Sequence, residues 1–159
     1  MRFAPILALA AVLLAAVSAF AADAPSAVGF WVTADHGAVI AISECGDHLC
    51  GNLVQFRDDD PPDNWPLDIH NPDVARRADP LCDIMLMGGL MPVPGKPTKW
   101  ENGWVYDPEN GSTYSAEMQL DGPDRLKLRG YLGISLLGRT ETWTRETAAP
   151  HRCAKPDGG

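Results

Sequence analysis

From Ser112 to Asp121 apolar and polar positions alternate, with Tyr114, Ala116, Met118 and Leu120 on one side and Thr113, Ser115, Glu117 and Gln119 on the other. The same period returns from Arg125 to Leu132, where Leu126, Leu128 and Leu132 alternate with Arg125, Lys127, Arg129 and Tyr131. Asp121-Gly122-Pro123-Asp124 supplies a turn between them. Successive strand side chains point to opposite faces, so a period of two describes a sheet with one apolar and one wet face. A helix needs a period of 3.6, which neither segment has.

The N-terminal half reads the same way, less cleanly. Strands are predicted over Val28–Thr33, Ala38–Glu44 and Leu49–Phe56, with turns at Asp35-His36-Gly37 and between Cys45 and Cys50. Further strands fit Ile84–Met91, Lys99–Tyr106 and Arg139–Arg145, which makes eight. Eight antiparallel strands can close a sheet on itself and leave no raw edge, so the expected fold is all-β, an eight-stranded barrel. A seven-stranded sandwich is the alternative. Gly29-Phe30-Trp31 and Thr142-Trp143-Thr144-Arg145 bracket the strands. A Gly-x-Trp on the first strand with an Arg on the last is similar to the closing seam of lipocalin-type (calycin-like) barrels, where indole and guanidinium stack. Gly29, Trp31, Trp143 and Arg145 are therefore expected at barrel closure, with Trp31 and Trp143 in the core at the closed end.

One stretch breaks the pattern. Arg57 to Pro80 holds seven aspartates and five prolines, which no central strand tolerates. A connection this long is a lid, a binding loop or a solvated acidic loop. Asn71-Pro72-Asp73 reads as a cap followed by Pro at the first helical position, predicting one helical turn over Asp73–Ala78.

Met1-Arg2, the apolar run Phe3–Phe20 and Ala19-Phe20-Ala21 form a signal-peptide pattern, with cleavage expected after Ala21. A membrane anchor is the competing reading, disfavoured by the Ala-rich run and its Ala-x-Ala end. Residues 22–159 then suit a single domain. They carry 12 basic and 21 acidic residues, a net charge of −9, which argues against nucleic acid and anionic membrane surfaces. No later segment is apolar enough to span a bilayer, so no stable insertion is expected after cleavage. Cys45, Cys50, Cys82 and Cys153 remain, an even count that predicts two disulfides in an exported chain, with three possible connectivities. The turn Gly46-Asp47-His48-Leu49 brings Cys45 to Cys50 and leaves Cys82 for Cys153. On the chain-entropy model the short bridge contributes about 2 kcal/mol and the long one about 4. Zinc competes poorly, because no Cys-x-x-Cys occurs and no His stands at ligand spacing.

Together these segments resemble an uncharacterised bacterial family of exported proteins, domain-of-unknown-function family 2147. Gly29-Phe30-Trp31, Cys45-Gly46, Leu49-Cys50-Gly51 and Asp68-Ile69-His70-Asn71-Pro72-Asp73 carry the likeness. So do Arg76-Arg77, Pro80-Leu81-Cys82, Trp104 to Gly111, Tyr114-Ser115-Ala116, Leu126 to Gly133 and Thr142-Trp143-Thr144-Arg145. The resemblance implies an envelope protein with a lipocalin-like barrel and brings no activity. Gly133 to Gly138 lacks a cysteine pair that some relatives carry near this position, so the resemblance implies no partner for Cys82 or Cys153.

The sequence offers little catalytic chemistry. Ser135, in Gly-Ile-Ser-Leu-Leu-Gly, is not a nucleophile elbow. His36, His48, His70 and His151 are scattered, and Asp58-Asp59-Asp60 lacks calcium-loop spacing, leaving at most weak surface binding of calcium. Neither a metal site nor a cofactor is expected. Asp68, His70, Asn71, Asp73, Arg76 and Arg77 gather within ten residues. They read either as an acid–base centre or anion clamp, or as a capped turn tying the loop to the barrel rim, and the capped turn is favoured. Trp100, Trp104 and Tyr106 share parity and line a pocket mouth with Tyr114 or form a cross-strand ladder. The expected function is binding of a small apolar or amphipathic ligand by Tyr106, Tyr114, Met118, Leu126 and Leu128, aided by Met85 and Met87, with Trp65 on a covering loop. The alternative is an envelope structural or interaction module with a packed core, its protein partner unidentified. An enzyme using Asp68, His70 and Asp73 comes third.

Overall fold

Eight strands form where the alternation places them. In the computed structural model, which describes residues 25–57, 66–150 and 153, β1 is Gly29–Val32, β2 Ala38–Cys45, β3 His48–Phe56 and β4 Met85–Val93. β5 is Lys96–Asp107, β6 Ser112–Leu120, β7 Arg125–Tyr131 and β8 Arg139–Glu146. Each strand pairs antiparallel with the next and β8 returns to β1, closing the barrel and excluding the sandwich. In that last seam Trp31 lies opposite Arg145.

The apolar parity of β6 and β7 points inward, and on β4 Met87 and Leu90, three residues apart, both reach the core across a register shift at Gly89 (φ 65°). Trp31, Ile40, Leu53, Met87, Leu90, Met118 and Leu126 are buried, and each such side chain contributes about 1.5–3 kcal/mol by leaving water. On β6 the opposite parity, Thr113, Ser115 and Gln119, is exposed.

β5 departs from simple alternation. Its register with β6 shifts between Trp100 and Gly103, where Asn102 takes a φ of 63°. The bulge consumes a residue and switches faces. Trp100 is therefore buried inside, Gly103 faces Leu90 in the core, and Trp104 falls on the outer side against Gly88. The shared parity expected of Trp100, Trp104 and Tyr106 is lost for this reason, and neither tryptophan lines a pocket mouth with Tyr114.

The described part of the long β3–β4 connection is ordered by its own backbone. Leu67 bridges Pro80, the Asp68 N–H donates to the Asp79 carbonyl, and the Leu81 N–H donates to the Pro66 carbonyl. The expected helical turn is shorter than predicted, a single 3-10 turn over Val74–Arg76. Its cap is Asp73, whose carboxylate accepts from the Ala75 N–H, and not Asn71. The Asn71 side chain is drawn away to accept from the Asp73 N–H, forming an Asx turn ahead of the cap.

Cys45 is bonded to Cys50 and Cys82 to Cys153. The long bridge holds residue 153 against the barrel, where its N–H donates to the Val54 carbonyl. Among the described residues no helix is long and apolar enough to cross a membrane. The signal-peptide reading of residues 1–21, Trp65, the Asp58–Asp60 run and His151 lie outside the described residues.

A cup at the open end of the barrel

The barrel is sealed at one end by Arg145. Its guanidinium sits 4.2 Å from the ring centre of Trp31. It donates to three backbone carbonyls, those of Ser26 (2.8 Å), Val28 (3.1 Å) and Pro123 (2.7 Å). The Trp31 indole N–H donates to the Ala27 carbonyl at 2.8 Å. Gly29 is glycine because the arginine runs past it: a Cβ there would lie 2.8 Å from the guanidinium, and its φ of 135° suits no other residue.

The opposite end opens into a cavity of about 670 Å³. Ile40, Leu53, Phe56, Leu86, Val105 and Leu128 supply apolar walls, while Tyr114, Glu141 and Arg139 bring polar groups towards the rim. β8 shows how the sequence builds this: Trp143, Glu141 and Arg139 step by two, so all three face the cavity. The Trp143 indole N–H donates to Glu141 Oε2 at 3.2 Å.

Depth along the barrel sorts the expected ligand residues. Tyr106, Tyr114 and Leu128 line the cavity as expected. Met118 and Leu126 do not: they stand near the sealed-end termini of β6 and β7 and are buried in the core with Trp31, and Met87 is buried there too without lining the cavity. Met85 stands on the outer face and is 43% exposed. Trp143, expected in the closed end, is buried yet lines the cavity. Ile40, Leu53, Phe56, Leu86, Val105, Arg139 and Glu141 were not singled out, although each belongs to a predicted strand. A period of two gives the face of a residue but not its height.

The six polar residues of the long connection assemble into a strut. Asp68, buried at 1% exposure, accepts from the Tyr106 hydroxyl and from the Asn71 amide, both at 2.6 Å. Arg77 Nε donates to the Asn71 carbonyl at 2.8 Å, and Arg76 pairs with Asp79 at 3.4 Å. His70, Asp73, Arg76 and Arg77 are exposed, and none of the six lines the cavity. The His70 carbonyl packs directly on Gly111 of the β5–β6 turn, leaving no room for a Cβ there. The bonds of Asp68, Asn71 and Asp73 are those of a capped turn, and His70 is exposed beside it.

Tyr106 carries the electrostatic signature of this strut. Desolvation, with the adjoining Asp68 carboxylate, pushes its phenol up to about 12. A raised folded value means that the protonated phenol is favoured by the fold. Its contribution is complete below the ordinary value of about 10 and is lost as pH climbs from there to about 12. Absorbance titration at alkaline pH is expected to show one late-ionising tyrosine, and Tyr106→Phe should remove that step. A titration unchanged by the substitution would place the late step elsewhere.

The structure also corrects the expectation that no His stands at ligand spacing to a cysteine. One ligand atom each of Cys45, His48 and Cys50 lies within 4.8 Å of the others at the β2–β3 turn. Both sulfurs are committed to the disulfide, so the oxidised turn offers a metal only the imidazole.

The family model for an uncharacterized protein conserved in bacteria (DUF2147) matches residues 29–145. No curated protein matches the sequence. Among solved structures the chain is similar to protein HP1028 from Helicobacter pylori, described as belonging to the lipocalin family. The TM-score is 0.68 at 17% identity, over 77% of this chain and 84% of that one. At that identity the likeness shows the fold: a lipocalin-like barrel.

Proposed function

The chain belongs to the DUF2147 family, and on that footing we propose that it is an exported, periplasmic barrel that binds a small apolar or amphipathic ligand in its open cup. The observation that carries this reading is the cavity. At about 670 Å³ it falls in the range of small-molecule sites, roughly 300–1,000 Å³. Its aliphatic walls suit a hydrocarbon body, and Tyr114, Glu141 and Arg139 near the rim suit a polar head. Export is supported by the basic, apolar and small-residue pattern of residues 1–21 and by the two disulfides. A wholly packed interior, which the structural-module alternative needs, does not accommodate a cup of this size. The enzyme reading draws no support from the cavity, since Asp68, His70 and Asp73 do not line it.

Leu128→Trp is expected to fill the cup and weaken displacement-measured binding of a fluorescent long-chain fatty acid about tenfold or more. Met118→Leu, in the sealed half, should leave that affinity unchanged. Native mass spectrometry of protein purified from a bacterial envelope should show a retained small molecule, lost in Leu128→Trp. A probe that does not bind, or binds both variants as tightly as the parent, overturns the proposal.

A further inference from the structure

The lip of the cup is chemically lopsided. The β1–β2 connection carries Asp35, the β5–β6 end Asp107 and Glu109, and the described part of the long β3–β4 connection Asp68, Asp73, Asp79 and Asp83 beside Arg76 and Arg77. The fourth connection, Leu132–Gly138 between β7 and β8, carries no charge at all, and every charged residue from Arg125 to Thr140 is basic. Within those seven residues Leu132, Ile134, Leu136 and Leu137 are 69%, 58%, 83% and 78% exposed.

This loop is braced. Arg129 donates to the carbonyls of Ser135 (2.7 Å) and Leu136 (3.2 Å) and to Thr140 Oγ1 (2.7 Å). The Ser135 hydroxyl donates to Glu117 Oε1 at 2.8 Å, and Ser135–Leu137 forms a 3-10 turn. The Ile134, Ser135 and Leu136 carbonyls are thus bonded within the loop and to Arg129 while four aliphatic side chains face water. A connector needs none of them, since turn residues are ordinarily small or polar. A loop already held in place loses little freedom on docking. Among the described residues neither Arg129 nor Arg139 is ion-paired, and Arg139 also lines the cup.

We propose that the Leu132–Arg139 lip docks the barrel reversibly on a bilayer with anionic headgroups, so that an amphipathic ligand passes between membrane and cup beside it. The ligand passage rests on the binding reading above; the docking rests on the lip itself. Aliphatic side chains enter the acyl boundary, Arg139 meets headgroup phosphates, and the acidic loops turn away. The net charge of −9 outside the leader, which argues against anionic surfaces, is unevenly spread, and its unevenness sets the orientation. A second copy fits less well, because a two-fold contact through this lip sets Arg139 near its own counterpart.

The test is co-sedimentation with vesicles of mixed phosphatidylglycerol and phosphatidylcholine. The protein is expected to bind them, to release at high salt, and to bind pure phosphatidylcholine poorly. Leu136→Ser with Leu137→Ser, and separately Arg139→Glu, should each weaken partition about tenfold or more. Both leucines are mostly exposed, so the fold should survive, as circular dichroism will show. No partition, or partition that survives the paired serine change, overturns the proposal. So does a lipid-free dimer that the serine change dissolves, which would assign the lip to a second copy. Fatty-acid probe binding without vesicles is read in parallel and should not change in the serine variant. A protein that docks yet takes no probe overturns the ligand reading alone and leaves the docking lip standing.

Discussion

Truncating Arg145 to alanine is expected to lower the stability of the barrel by about 3 kcal/mol, the midpoint of thermal unfolding falling by about 10 °C. One guanidinium on β8 ties down two other segments: the approach to β1, through the Ser26 and Val28 carbonyls, and the β6–β7 turn at Pro123. A charge-assisted bond in full burial is worth roughly 1.5–3 kcal/mol, but this side chain is 23% exposed and water can reach the vacated carbonyls. About 0.7 kcal/mol for each of the three bonds is the fitting scale, with about 1 kcal/mol more from the stack on Trp31. Arg145→Lys should recover less than half, since an ammonium cannot bond three carbonyls and stack flat on an indole at once. Urea unfolding followed by tryptophan fluorescence measures the loss. A change below about 1 kcal/mol would mean that the backbone ladder of β1 with β8 holds the seam unaided.

How far the fold could be read beforehand follows from what strand geometry leaves in a sequence. Residues such as Glu117 and Met118, or Lys127 and Leu128, record their face in their chemistry, so all eight strands and the inward parity of β6 and β7 were visible. The seam was visible because Gly29, Trp31 and Arg145 are each unusual for a surface strand. Asn102 left no such trace. An asparagine at positive φ looks like any polar strand residue until the register is known, and with it went the face of Trp104. Height along the barrel was equally silent: Met118 and Tyr114 share a face, yet one lies in the sealed core and the other lines the cup. The apolar Leu132–Leu137 stretch was in plain sight, but Gly133 and Gly138 mark only a turn, and a sequence does not record that its four aliphatic side chains face outward.

Asp68→Leu is expected to free the long connection from the rim, the amides of residues 67–81 exchanging about 100-fold faster while those of β6 and β7 keep their protection. The substitution removes the acceptor shared by the Tyr106 hydroxyl and the Asn71 amide, and no other acceptor is bonded to either group. Each stranded donor costs roughly 1–3 kcal/mol where water is excluded, which sets the scale at about 3 kcal/mol for local opening. Asp68→Asn should lie much closer to the parent. Its carbonyl can accept from Asn71 while its amide donates to the Tyr106 oxygen, so the pairing reverses its sense and survives. That contrast separates the hydrogen bonds from mere bulk, since asparagine and leucine both remove the charge. Because Pro66 and Leu81 border the cavity, freeing the connection should also widen the mouth. A bound fatty-acid probe should then leave the Leu variant faster, with the Asn variant nearly as slow as the parent. If amides 67–81 of the Leu variant stay protected, the Leu67–Pro80 bridge and the contact of His70 with Gly111 hold the connection instead, and the strut is dispensable.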